Sequence, residues 1–398
     1  MRHRALRFIG GAFAAIVGMG CSASPSSTDA STSSSPTASS PEASESLAAV
    51  GGSQPRGRSN EAGAVGMGTM VTSGRSAPSG VSGGSMAGAD ASPAGKAGGA
   101  GVGGAKAGGA GTTAGRAAEG GGMGSDPLSP GTDYSQPGAF ADAKMFTNVG
   151  PDGNYTVFRP DSSLGMAGFK HALIGWANGI GTTPDLYQET LTLIASHGFV
   201  VIGSNDTQAE EAAVSAGLDW LVEQNTVDGP FKDKLDVTSE GLIGYSWGGG
   251  AVIDASRRPN VKGTVCMHGM PPRTADAFDA MHAPLLLFTS TGDTFVTAEG
   301  YVTPNYNASK VQTFYATLDD PTAGHMYGLD AHGLEGCSEI GQSLGFGDCR
   351  GAEAERGPVI AWLRLWLNND QNARKFFYGD DCTLCTKPWT MPQRKMWP

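Results

Sequence analysis

From residue 155 onward, apolar runs of strand length alternate with longer segments whose apolar residues recur every three or four positions. YTVFRP (155–160), HALIGWA (171–177) and FVVIGS (199–204) predict strands, as does SEGLIGYS (239–246). KGTVCMHG (262–269), APLLLFTSTGD (283–293) and VQTFYATLD (311–319) predict three more. Between them, Pro184 opens a helix in which Leu186, Leu191 and Ile194 keep helical spacing and Gly198 supplies a stop. AEEAAVSAGLDWLVEQN (209–225) predicts a helix with acids in its first turn, WGGGAVIDASRR (247–258) another, and RGPVIAWLRLWLNND (356–370) a final amphipathic one. Continuous apolar strands interleaved with helices predict an α/β fold, a mostly parallel sheet covered on both faces. In such sheets ligands sit beyond the carboxyl ends of the strands.

The pattern is missing from the first third of the chain. Arg2, Arg4 and Arg7 precede an apolar stretch at 8–17 that is too short to span a bilayer, so 1–20 is expected to be a secretory signal. Gly20 before Cys21 resembles a lipoprotein signal, although Gly18 stands where such signals usually have Leu. Cys21 is thus a candidate lipidation site, with simple cleavage and release as the alternative. Residues 21–128 are Ser, Thr, Pro, Gly and Ala with almost no aromatics; they cannot bury enough apolar surface to offset backbone entropy, and read as a disordered tether. Residues 129–398 carry the folded domain, and a monomer is expected. The expected location is secreted, or at the bacterial outer membrane or cell surface as a lipoprotein.

Export implies an oxidising compartment. Cys337 can pair with Cys349, and Cys382 with Cys385, while Cys266 in a continuous apolar run reads as a buried free thiol. Nothing supports zinc, since no second Cys or His pair has suitable spacing, and CTLC lies in a Pro- and Lys-containing tail, outside a redox-type βαβ unit. The formal net charge of −11, without a basic cluster, argues against nucleic acid as a partner.

Two Gly-x-Ser-x-Gly matches occur, at Ser246 and Ser343, where roughly one is expected by chance at this glycine and serine content. Context separates them. Ser246 ends a predicted strand and opens a predicted helix, the setting in which a sharp turn lifts a nucleophile out of the sheet edge. Ser343 has neither flank and is expected in a loop. A Ser hydroxyl needs a His to take its proton and a carboxylate to orient that His. Asp293, just past an apolar strand, and His325, in the loop after the next strand, follow Ser246 in the order Ser, acid, His. Rivals are His332, His268 and His282 for the base and Asp319 or Asp320 for the acid; His268 and His282 precede Asp293 and break the order. Developing negative charge on an attacked carbonyl requires preorganised donors, expected from the backbone N–H of Trp247 and of Ile180 in the loop NGIG after the strand at 171–177.

With these residues in place, the stretch at about 156–369 resembles the bacterial cutinase-like polyester hydrolases and their dienelactone-hydrolase-like relatives of the α/β-hydrolase fold. IASHGFVVIGSND matches a segment common in that group, GYSWGGG its elbow, APLLLFTSTGDTFV its acid strand and AGHMYG its histidine loop. The resemblance implies carboxylic ester hydrolysis through Ser246, His325 and Asp293, with no cofactor and an ester, small or polymeric, as partner. It also implies a substrate cleft near Trp247 and Met270. The polyester-degrading members typically carry an aromatic residue where this chain has Ile180 and a Trp where it has Met270, so an aromatic clamp is weakened here, and Trp247 replaces the usual Met. His268 has no role to carry over. The alternatives are a noncatalytic surface protein that binds through the same fold, and an amidase or peptidase using the same triad.

Overall fold

The computed structural model describes residues 133–332 and 334–397. The signal, Cys21 and the tether lie outside the described residues. Nine strands form one sheet in the order β1-β2-β4-β3-β5-β6-β7-β8-β9. They are β1 (Lys144–Val149), β2 (Tyr155–Arg159), β3 (His171–Ala177), β4 (Phe199–Ser204), β5 (Leu235–Tyr245), β6 (Val261–Met267), β7 (Leu285–Ser290), β8 (Thr313–Leu318) and β9 (Trp389–Lys395). From β4 to β8 all neighbours pair parallel, whereas β1, β2 and β9 join antiparallel at the two margins. The helices are α1 (Gln188–Ser196), α2 (Glu211–Gln224), α3 (Trp247–Ala255), α4 (Ala277–Ala280), α5 (Thr303–Ala308), α6 (Cys337–Ser343) and α7 (Glu353–Asn368).

Every residue of β3, β4, β7 and β8 is buried, because successive side chains feed opposite faces and both faces are covered. Ile174, Ile243, Val265 and Phe288 pack under α1 and α7 with Trp362 and Leu363. Their chain neighbours Leu173 and Leu242 point the other way, to Val214, Leu218 and Leu221 of α2 and Val252 of α3. Full burial of one such side chain stabilises the fold by about 1.5–3 kcal/mol, which is why these strands read as unbroken apolar runs.

One expectation changes: Ser343, expected in a loop, ends helix α6, exposed, with its Oγ donating to the Ile340 carbonyl at 2.8 Å. The C-terminal tail adds an edge strand, β9, paired with β8. Both cysteine pairs are joined, Cys337 to Cys349 and Cys382 to Cys385, and Cys266 is a buried free thiol.

The turn from β5 into α3 depends on close backbone approach. A Cβ on Gly244 would lie 2.2 Å from the Gly248 carbonyl oxygen, and one on Gly248 would lie 2.0 Å from that of Ala177 in β3. Gly248→Ala is therefore expected to lower the unfolding free energy by about 1–3 kcal/mol or more, read as a lower denaturant midpoint. An unchanged midpoint would mean that α3 can move away from β3 without loss.

Candidate active site

Ser246 follows the last residue of β5 and takes φ 54° and ψ −119°, a conformation that L residues rarely adopt and that persists where surrounding structure over-determines it. The strain points its hydroxyl off the carboxyl edge of the sheet. Ser246 Oγ lies 2.8 Å from His325 Nε2, and His325 Nδ1 lies 2.9 Å from Asp293 Oδ2. An ionised carboxylate only accepts, so Nδ1 of His325 carries the proton and Nε2 is left to accept from the Ser hydroxyl. All three residues are buried. The structure thus brings together the nucleophile, base and acid candidates that the chain order singled out. Among the rivals, His282 is exposed, the side chain of His332 is 91% exposed, and Asp320 caps its own turn at Thr322 and pairs with Arg350; His268 lies in the site but faces Asp293, not Ser246.

Several contacts hold the base loop in place. The Tyr245 phenol donates to the His325 carbonyl at 3.0 Å and accepts from the Gly328 N–H at 3.0 Å, so the residue before Ser246 grips the loop that carries His325. Ser290 at the end of β7 donates to the Ala323 carbonyl, and the Phe295 ring lies 4.9 Å from the His325 ring, with Phe346 beyond it.

Ile180 and Trp247 present the expected amides, and neither donates to a protein acceptor among the described residues. The loop behind Ile180 is fixed by Tyr187, whose phenol oxygen accepts from the Gly179 N–H at 3.3 Å and meets the Thr182 hydroxyl at 2.9 Å. Nothing in the sequence pattern marked Tyr187, which appeared there only as a residue of a predicted helix.

A small pocket opens over Ser246, walled by Ile180, Thr182, Tyr187, Tyr245, Met326 and Leu329. Trp247 and Met270 do not line it. Trp247 Nε1 donates to Glu210 at 3.0 Å while the Arg273 guanidinium sits 3.9 Å above its ring. Met270 packs its side chain with the Ile253, Cys266 and Met281 cluster, and only its N–H reaches Ser246, donating to the carbonyl at 2.9 Å.

His268 enters this site unannounced by the chain order. Its Nδ1 lies 2.8 Å from the same Asp293 Oδ2 that His325 uses, and its Nε2 lies 2.9 Å from Glu355 Oε1 of α7. Asp293 Oδ1 meanwhile accepts from the N–H groups of Phe295 and Val296 at 3.0 and 2.8 Å. Burial alone would raise the Asp293 pKa; His325, then the hydrogen bonds and charge of His268, outweigh it and hold the carboxyl well below the usual carboxylate range. For His268, burial opposes the charge, but Glu355 and Asp293 together push its pKa up from 6.5 to about 10. Although ligand-type atoms of His268, Asp293 and His325 fall within 4.8 Å of one another, both imidazole Nδ1 atoms are engaged by one carboxylate oxygen, which makes the cluster a hydrogen-bond chain.

A mostly parallel sheet with a strained Ser after β5, an acid after β7 and a His after β8 is the arrangement of the α/β-hydrolase fold. Within that class, residues 189–332 match the family described as PET hydrolase-like, and the chain is similar to polyester hydrolases over that stretch. It is 27% identical over 139 residues to the bis(hydroxyethyl) terephthalate hydrolase of Streptomyces coelicolor, an alignment that covers 33% of this chain and 43% of that protein's length. Ser246, Asp293, His325 and His268 fall inside the matched family stretch; Ile180 and Glu355 fall outside it.

A group whose folded pKa is raised stabilises the fold fully below its unfolded value and loses that contribution as pH rises through the folded value. The His268 contribution is therefore complete below about pH 6.5 and lost toward about pH 10. The stability gap between wild type and His268→Asn should accordingly shrink over that window in denaturant melts at stepped pH, and a constant gap would mean that His268 is not a charged partner in the fold.

Proposed function

We propose that this chain is a serine ester hydrolase of the polyester-hydrolase type. The observation that carries the reading is the unbroken chain Ser246 Oγ, His325, Asp293 at 2.8 and 2.9 Å beside two unused amides. In this reading His325 takes the Ser246 proton as Oγ attacks the ester carbonyl, and the N–H groups of Ile180 and Trp247 receive the developing oxyanion. Protonated His325, steadied by Asp293, then gives its proton to the departing alcohol. Water activated by the same His hydrolyses the acyl-enzyme and releases the acid.

The small size of the pocket, walled by Ile180, Met326 and Leu329 beside the Tyr187 and Tyr245 rings, and the holding aside of Trp247 by Glu210 and Arg273 support small esters over a polymer stacked on Trp247. Small esters, among them bis(hydroxyethyl) terephthalate as the substrate in the name of the similar Streptomyces protein, are the first to try. The two disulfides support an exported enzyme, tethered by residues 21–128 and anchored through Cys21 if that residue is lipidated.

Ser246→Ala should lower turnover of p-nitrophenyl acetate and butyrate by roughly 10⁴-fold or more with an unchanged melting temperature. Turnover retained in that variant would remove Ser246 as the nucleophile, and anilide turnover equal to ester turnover would move the reading to an amidase. Tyr187→Phe, which frees the oxyanion loop, should reduce kcat by about tenfold with little change in KM; a change confined to KM would place Tyr187 in binding instead.

A further inference from the structure

His268 sits in a costly position for a residue that only fills space. It has φ +47°, in the left-handed region that non-glycine residues seldom enter, and its ring is fully buried. Glu355, on which it abuts, is equally buried and has one oxygen, Oε2, without a hydrogen-bond partner among the described residues. A buried carboxylate in that state is strongly unfavourable unless a cation touches it.

Proton accounting then narrows the arrangement. Nδ1 of His268 must donate, because the Asp293 oxygen it faces only accepts. A contact of 2.9 Å between Nε2 and Glu355 Oε1 needs a second proton. That proton lies on the ring, leaving Glu355 ionised, since Asp293 on the other side also favours a positive ring. The remaining titratable neighbours add no charge: the Tyr245 ring from β5 lies 5.5 Å away and the Tyr327 ring from the base loop 6.3 Å away, both phenols pushed up by burial, and the Cys266 thiol on β6 is likewise raised. His325 and His268 share the Asp293 oxygen.

We propose that His268 is a positioning residue of this site: an imidazolium clamped between Asp293 and Glu355, it fixes the carboxylate oxygen that orients His325 and moderates the negative charge that His325 meets. Glu355 keeps the clamp protonated. The inference rests on the esterase reading for its kinetic consequence, and on geometry alone for the clamp. Behind His325 the three groups carry −1, +1 and −1. Without His268, Glu355 has lost its cation, and Asp293 acts on His325 without the positive ring between them and Glu355.

The test uses the full chain labelled with ¹⁵N-histidine. At pH 8, where an ordinary imidazole is neutral, one ring should show both nitrogens protonated, and that signal should be absent from His268→Asn. In Glu355→Gln the same ring should lose its second proton at a lower pH than in wild type. His268→Asn, whose amide can still donate to Asp293, should move the acid limb of the kcat/KM profile for p-nitrophenyl butyrate upward by about half a pH unit or more. A wild-type spectrum without a doubly protonated ring at pH 8 overturns the inference, and so does an unmoved limb in a folded variant or an unmoved ring titration in Glu355→Gln. If His268→Asn does not fold, the wild-type and Glu355→Gln spectra decide. Failure of the esterase reading looks different: wild type would turn over no ester, or turnover would survive Ser246→Ala.

Discussion

Asp293 is a carboxylate taken almost wholly out of water, and the carboxyl edge of the sheet is organised around keeping it ionised there. Withdrawing such a group from solvent costs several kcal/mol unless donors replace the lost hydration. Four donors converge on it: two amides of its own turn, one imidazole from the loop after β8 and one from the end of β6. Between them they hold three pieces of chain, so the segments that follow β6, β7 and β8 are set relative to one another by a single charge. The position of His325, and through it the proton acceptor of Ser246, is a product of that convergence.

The central strands and the four longest helices were legible because burial on both faces turns each strand into an apolar run and each helix into a one-sided stripe. β1 and β9 were not. β1 has no fully buried residue, and β9 carries Pro392, Arg394 and Lys395 and is held through its pairing with β8. Edge strands draw their stability from backbone pairing with a neighbour, which leaves little trace in side-chain pattern.

The candidate nucleophile, base and acid were readable as a linear order of residue types at strand ends. The same ordering rule set His268 aside as a base, and in the structure it is His325 that faces the Ser246 hydroxyl. The rule is silent about which other groups bond to the acid. Glu355 was hidden in a different way: it lies just ahead of the helix predicted at 356–370, and in the structure it shares the first turn of α7 with Glu353, where the macrodipole alone accounts for acids. Only its complete burial shows otherwise. The resemblance implied Trp247 and Met270 as cleft residues, yet the pocket over Ser246 is walled by Ile180, Thr182, Tyr187, Tyr245, Met326 and Leu329, while Glu210 and Arg273 hold Trp247 aside.

The disulfide between Cys337 and Cys349 closes the stretch that contains Phe346. The Phe346 carbonyl receives the Met326 N–H at 2.8 Å, and its ring braces Phe295 against the imidazole of His325. A covalent link several residues from the chemistry therefore sets how firmly the proton acceptor is seated. The seating of the imidazole is thereby linked to the oxidation state of two cysteines that lie outside the site.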